Sequence, residues 1–293
     1  MLYKIALYVA FVVVAGSLIS VPMFHAGQWA IETDLIPQLK PFRFPKYLNR
    51  GVLVAAIAGL YPFLRSIGVK NLRGLGLVEN SRWRRDLALG FTVGAMGLTF
   101  VATWLVVSGR IEIKDPLLSF WFLSAAATAI AVALIEEFFF RGALFGILLQ
   151  QLSARAATLW LSFIFAVLHF IKPHHSVKLW DGEIQWWTGF EVLSYSFWQF
   201  SEPRLLVGGL LTLFMVGVVL AYATLKTRSL FLAIGIHAGW VFVLRMVQMG
   251  STRSAPADWW VGRPLITGII PFGLVTLTGV LIYYYFGRNR NQA

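Results

Sequence analysis

Residues 134–142 read LIEEFFFRG, two glutamates and an arginine within six positions. They stand inside an apolar run, with WFLSAAATAIAVA (121–133) before them and ALFGILL (143–149) after. An ionised carboxylate in hydrocarbon costs about 2.5–3.5 kcal/mol on insertion scales, so two in a row need compensation. Arg141 follows Glu137 by four residues, which puts both on one face of a helix and within pairing reach. Glu136 is turned about 100° from Glu137 and lies five residues from Arg141. It is the carboxylate left over, and a buried carboxylate without its own cation suits a general base or a metal ligand. The plainer alternative is a three-membered ion cluster that only fixes helix packing.

The surrounding chain sets the class. Of 293 residues, 58% are hydrophobic and 13% charged, against roughly 25% charged in a soluble domain. The expectation is an all-α, polytopic integral membrane protein of about eight transmembrane helices with the active site inside the bundle. Candidate spans are 2–23, 51–67, 87–107, 117–150, 154–170, 205–224, 229–249 and 265–286. The first is too long for the apolar part of a cleavable signal. The fourth, about 50 Å as a helix, must tilt, break near Gly142 or project from the bilayer. No repeat or linker interrupts the chain, so 1–293 reads as a single transmembrane domain.

The formal charge of +12 is spread among short loops, which fits membrane flanking rather than nucleic acid. With no cysteine, thiol catalysis is excluded. The loop RSIGVKNLRGLGLVENSRWRRD (65–86) is rich in Arg and Lys and reads as cytoplasmic, which puts both termini inside as well. The Trp-rich loop 171–203 suggests a surface helix at the membrane interface.

A buried glutamate that does chemistry needs a partner. Of five histidines, His25, His174 and His175 read as loop residues. His169 (FIFAVLHF) and His237 (FLAIGIHAGWVFVL) lie within apolar spans. The midpoint of Glu136 and His169 falls in QQLSAR, the polar turn between the fourth and fifth spans. An antiparallel hairpin therefore brings Glu136 and His169 to one height. Phe165 shares the His169 face and walls the pocket. His237, eight residues into its span, sits shallower than the other two unless that hairpin projects into the cytoplasm.

Glu136-Glu137-x-x-x-Arg141 in one span, Phe165-x-x-x-His169 in the next and His237 in a later one resemble the CAAX prenyl protease and bacteriocin-processing (Abi) family of glutamic-type intramembrane proteases. The likeness runs from about 84 to 246, with the spans of 1–80 outside it. The resemblance implies an endopeptidase of the bacterial inner membrane. Glu136 and His169 would activate a water, Glu137 and Arg141 would hold the geometry, and His237 would stabilise the oxyanion. Many members carry an asparagine four residues after that histidine, where this chain has Val241. Losing one oxyanion donor costs about 100–1000-fold in rate, so another donor is expected, Trp240 first, then Arg245 or a backbone amide.

Glu136, His169 and His237 also make a possible zinc ligand set. No metal is favoured, because Glu136 stands beside an acid and an arginine rather than in an HExxH helix. The expected substrate is a membrane-associated or lipid-modified protein or peptide, met from within the lipid bilayer, with no nucleic-acid partner. Two other functions compete: a non-catalytic membrane partner (bacteriocin immunity or scaffold) that keeps the fold, and a proton-coupled transporter.

Overall fold

The computed structural model describes residues 2–35, 43–69, 80–114, 118–171, 184–254, 258–262, 265 and 267–288. It is almost entirely helical. Six helices are long and apolar enough to cross a membrane, and two shorter apolar helices, Ala154–Phe170 and Ile269–Tyr285, accompany them. The protein is an all-α integral membrane protein. Its residues gather into two compact units, 1–70 with 170–202 and 71–169 with 203–293.

The first unit is built on α1 (Leu2–Glu32) and α2 (Phe44–Ser66). Their close approach depends on Gly16, where a Cβ would stand 2.6 Å from the Val52 backbone. Phe24, Phe44, Tyr47 and Leu48 fill the core at one end, joined by Ile184 and Val192. Val192 belongs to α7 (Thr188–Ser194), which continues as a 3₁₀ turn, Tyr195–Ser201. This is the helix expected in the Trp-rich loop; Trp186 and Trp187 before it are exposed. Trp180 of that loop lies outside the described residues.

The second unit holds α3 (Trp83–Val107), α4 (Leu118–Glu137), α5 (Phe145–Leu149), α6 (Ala154–Phe170), α8 (Pro203–Thr227), α9 (Phe231–Gly250) and α10 (Ile269–Arg288). Helix α9 is its centre, buried without a break from Leu232 to Trp240. Two of its faces are specialised. On one, Gly235 and Gly239 meet Gly90 and Gly94 of α3, so the two backbones touch. A Cβ at Gly235 would stand 2.3 Å from the Leu87 carbonyl oxygen, and one at Gly94 2.3 Å from that of Ile236. Small residues four apart on both partners are the signature of close helix pairing where lipid supplies no hydrophobic drive. The matching order of contacts makes α3 and α9 parallel.

The other face of α9 carries Leu230, Ile234, Ala238 and Val241 and packs on Ala129 and Ala133 of α4. Ala125, Ala129 and Ala133 are all buried and spaced by four, so they form one ridge. The next step along that ridge is Glu137, and the one after is Arg141. Helix α4 and α9 run in opposite senses, with Phe122 against Phe242 toward one end. Beyond the far ends of α3 and α9, β1 (Ile111–Ile113) and β2 (Ser251–Arg253) pair antiparallel, Ile111 with Arg253. They cover a small cluster of Val101, Leu105, Ile111, Val261 and Leu265.

The long fourth span is resolved in a way the sequence only outlined. Regular α-helix ends at Glu137, and Phe138–Leu144 forms a π-helical turn before α5 resumes. Gly142, the expected break, lies inside it. A widened turn of this kind often marks a functional position. Residues Phe140 to Phe145 are buried one after another, so this part of the span leaves no face for lipid.

Candidate active site

Glu137 lies where the alanine ridge of α4 ends against α9. Its Oε1 accepts two hydrogen bonds: from Arg141 Nη1 at 2.9 Å and from His237 Nδ1 at 2.7 Å. The side chains of Glu137 and Arg141 have no exposure at all. A buried charge survives only when paired and otherwise surrounded favourably. Arg141 has its pair in Glu137 and its surround in aromatic faces, with the guanidinium carbon 4.6 Å from the Phe165 ring centre and 5.8 Å from that of Phe140. Such a desolvated cation–π contact contributes about 2 kcal/mol. Among the described residues the Arg141 Nε and Nη2 have no hydrogen-bond partner, which leaves the rings as its remaining support.

Glu136 faces the other way and makes no bond to Arg141. Its Oε2 lies 3.4 Å from His169 Nε2 and 3.8 Å from His237 Nε2. Glu136 and His169 side chains are about a quarter exposed, 25% and 22%, so this is the open side of the cluster. The protonation pattern follows from the partners. His169 Nδ1 stands 2.9 Å from the Phe165 carbonyl, which only accepts, so Nδ1 carries the proton. His237 Nδ1 faces a carboxylate already held by an arginine, so it also donates. Both imidazoles are thus tied at Nδ1, and both turn Nε2 toward Glu136.

Phe165 does more than wall the pocket. Its ring lies 4.1 Å from the His169 ring and under Arg141, and its carbonyl sets the His169 tautomer. The spacing F-x-x-x-H has a physical reason: one helical turn lets the carbonyl of the first residue reach the Nδ1 of the last. Helix α6 is itself held against α8, where Gly217 lets the Ser162 backbone approach.

All six residues expected in the cluster, Glu136, Glu137, Arg141, Phe165, His169 and His237, come together. The difference in depth resolves as the sequence required. His169 is the penultimate residue of α6 and His237 the seventh of α9. Along its helix His169 is nine residues deeper, about 13 Å, so the α4–α6 hairpin extends past the start of α9. The bond between Glu137 and His237 was not anticipated; the alanine ridge aimed at α9 was its signal. Trp240 is buried on α9, and among the described residues nothing accepts a hydrogen bond from its indole. Val241 is partly buried and packs against the cluster that Ile234 and Ala238 form with the α4 alanines. Arg245 bonds Gln248 at 3.1 Å, two turns from His237. His25 is exposed on α1 beside Phe24, and His174 and His175 lie outside the described residues.

A metal was the open alternative. Among the described residues no three His, Asp or Glu side chains are arranged to hold an ion. Tetrahedral zinc at about 2.0–2.1 Å from its ligands wants donors about 3.4 Å apart. The 3.4 Å between Glu136 and His169 matches that spacing, and the 3.8 Å between Glu136 and His237 is wider.

Residues 118–243 match the protein-family model described as Type II CAAX prenyl endopeptidase Rce1-like. No curated protein and no solved structure matches the chain. The matched segment begins with α4, ends within α9, and contains all six clustered residues together with Trp240 and Val241. Over this segment the chain is similar to the CAAX prenyl endopeptidases of the Rce1-like type, a family of peptidases.

Proposed function

We propose that the protein hydrolyses a peptide bond in a membrane-associated or lipid-modified protein or peptide, with Glu136 and His169 activating the water. The observation that carries this is the convergence of two Nε2 atoms, from different helices, on Oε2 of Glu136, the carboxylate of the cluster that no arginine holds. A water bound to Glu136 and His169 from the open side gives its proton to Glu136 as its oxygen bonds the scissile carbonyl carbon. The carbonyl electron pair moves onto oxygen. His237 donates from Nε2 to that oxyanion, while Glu137 holds the ring from Nδ1. Collapse re-forms the carbonyl, breaks the C–N bond, and sends the proton from Glu136 to the departing amine. Trp240, close to His237 on α9, is the proposed second oxyanion donor.

The proposed reaction uses no metal, because Glu136 stands beside an acid and an arginine rather than in an HExxH helix. The Arg- and Lys-rich sequence 65–86 supports a cytoplasmic position for the start of α3 and for both termini, in a bacterial inner membrane.

The test uses protein reconstituted in liposomes with a quenched peptide carrying a farnesylated C-terminal cysteine motif. Wild type should cut it, Glu136→Gln should not, and a chelator should leave the rate unchanged. Comparison of membrane proteomes with and without the gene would then identify natural substrates by their new termini. Cleavage by Glu136→Gln at the wild-type rate would refute the assignment. The same result in both proteomes, with no peptide cut, would favour the non-catalytic reading, whose support is Val241 at the asparagine position.

A further inference from the structure

We infer that the first unit carries a binding site for one anionic phospholipid, in the groove between α1 and α2. The groove has a volume of about 450 Å³ and is lined by Leu7 and Phe11 of α1 and by Ala58 and Pro62 of α2, with Lys4 and Ser66 at its end. Its floor is rigid. The Tyr8 hydroxyl donates to the Ala56 carbonyl at 2.7 Å, and its ring stacks on Phe63 at 4.6 Å. Gly59 keeps the floor low, since a Cβ there would stand 2.7 Å from Phe11. A groove whose floor is bonded and stacked does not close by side-chain collapse, so in a bilayer it is filled by an apolar chain.

The charge at its end says which lipid. Lys4 donates to the Ser66 carbonyl, which uses one of three ammonium hydrogens and leaves two. Arg65, the neighbour of Ser66, is exposed and rests on Tyr61, 5.8 Å from the ring centre. No acidic residue lies in the first turn of α1 or anywhere in α2. Glu32 and Asp34 are at the other end of α1, about 42 Å away. Capping of α2 explains the Lys4 bond by itself. It does not explain an open apolar groove with a second cation, Arg65, next in sequence to its lining residue Ser66, and no acid in the first turn of α1 or in α2. An acyl chain in the groove and a phosphate between Lys4 and Arg65 satisfy both features. Each cation near an anionic headgroup contributes about fivefold in affinity, so the pair predicts about a 25-fold preference over a zwitterionic lipid of the same chains.

The experiment is native mass spectrometry of the full chain released from detergent, with phosphatidylglycerol and phosphatidylcholine of identical chains in competition. Wild type should retain one phosphatidylglycerol with about the 25-fold preference. Lys4→Gln with Arg65→Gln, two surface changes, should reduce the preference to about twofold or less while keeping the melting temperature. Ala58→Trp, which fills the groove, should remove the bound lipid of either kind. Glycerol phosphate alone should not displace it. The inference is overturned if wild type retains no lipid or shows no preference. It is equally overturned if the double variant keeps the preference, or if glycerol phosphate competes.

Discussion

Glu137→Gln is the most informative single change. Glutamine keeps Oε1, so Arg141 Nη1 and His237 Nδ1 retain an acceptor at the same place. The shape is preserved and only the charge is lost. That charge is the partner of an arginine with no exposed surface. Removing one member of a fully buried pair costs about 3–5 kcal/mol, because the other is left uncompensated. At about 2–4 °C per kcal/mol for a chain of this size, the apparent melting temperature in detergent should fall by roughly 6–20 °C. Glu136→Gln is the control. It touches no arginine, is a quarter exposed, and should change stability by less than about 1 kcal/mol. The double change Glu137→Gln with Arg141→Met removes the orphaned cation and should recover more than half of the loss, since apolar replacement of a buried pair is often neutral. Activity should not return with stability, because His237 still lacks its anionic partner. The reasoning fails if the two glutamine variants lose equal stability, or if Arg141→Met adds to the damage of Glu137→Gln.

Three further outcomes are expected. Phe165→Leu keeps the carbonyl that sets His169 but removes the ring beneath Arg141; stability should drop by about 2 kcal/mol and kcat by about tenfold with KM nearly unchanged, read from melting and steady-state kinetics. Trp240→Phe should lower kcat about tenfold at constant KM, the mark of a contact made only in the transition state, and full activity would remove the indole from the oxyanion site. Outside the spans, Asp258 accepts from Arg110 and from the Val261 and Trp260 amides, and the Arg110 bond, first among these, holds its carboxyl below the usual aspartate value. A lowered folded value means the contribution is present above the ordinary aspartate range and is lost as pH falls through the lowered one. Limited proteolysis of the turn around Trp259 should therefore speed up in strong acid, and Asp258→Asn should make cleavage fast at every pH.

The site was more legible than the packing that holds it. Glu136 and His169 followed from hairpin symmetry, and the Glu137–Arg141 pair from a spacing of four, because both depend on local helix geometry. The Glu137–His237 bond joins residues 100 apart, and no local rule links them. The alanine ridge and the two glycine pairs, GFTVG (90–94) and GIHAG (235–239), were visible as letters. Small residues, however, declare which faces touch only once the partner is known. The π turn depends on how six successive side chains are enclosed, which no periodicity in FFFRGAL announces. Val241 shows the reverse case. As a departure from the family pattern it raised a question about catalysis. In the structure it is a partly buried residue packed against an apolar cluster shared by α4 and α9, so an asparagine there would set an amide against apolar side chains.

The glycine contact between α3 and α9 has a consequence for the membrane around the enzyme. With backbones touching and no side chain between them, the two helices cannot tilt independently. A bilayer thicker or thinner than the spans is accommodated by tilt, and the α3–α9 pair must lean as one piece. The joint that yields is the one toward α4, where softer alanine and valine contacts lead straight to Glu137 and His237. Hydrophobic mismatch is therefore delivered to the width of the catalytic cleft. Turnover in vesicles of graded acyl length should pass through a maximum, while a flat profile would show that thickness does not reach the cleft.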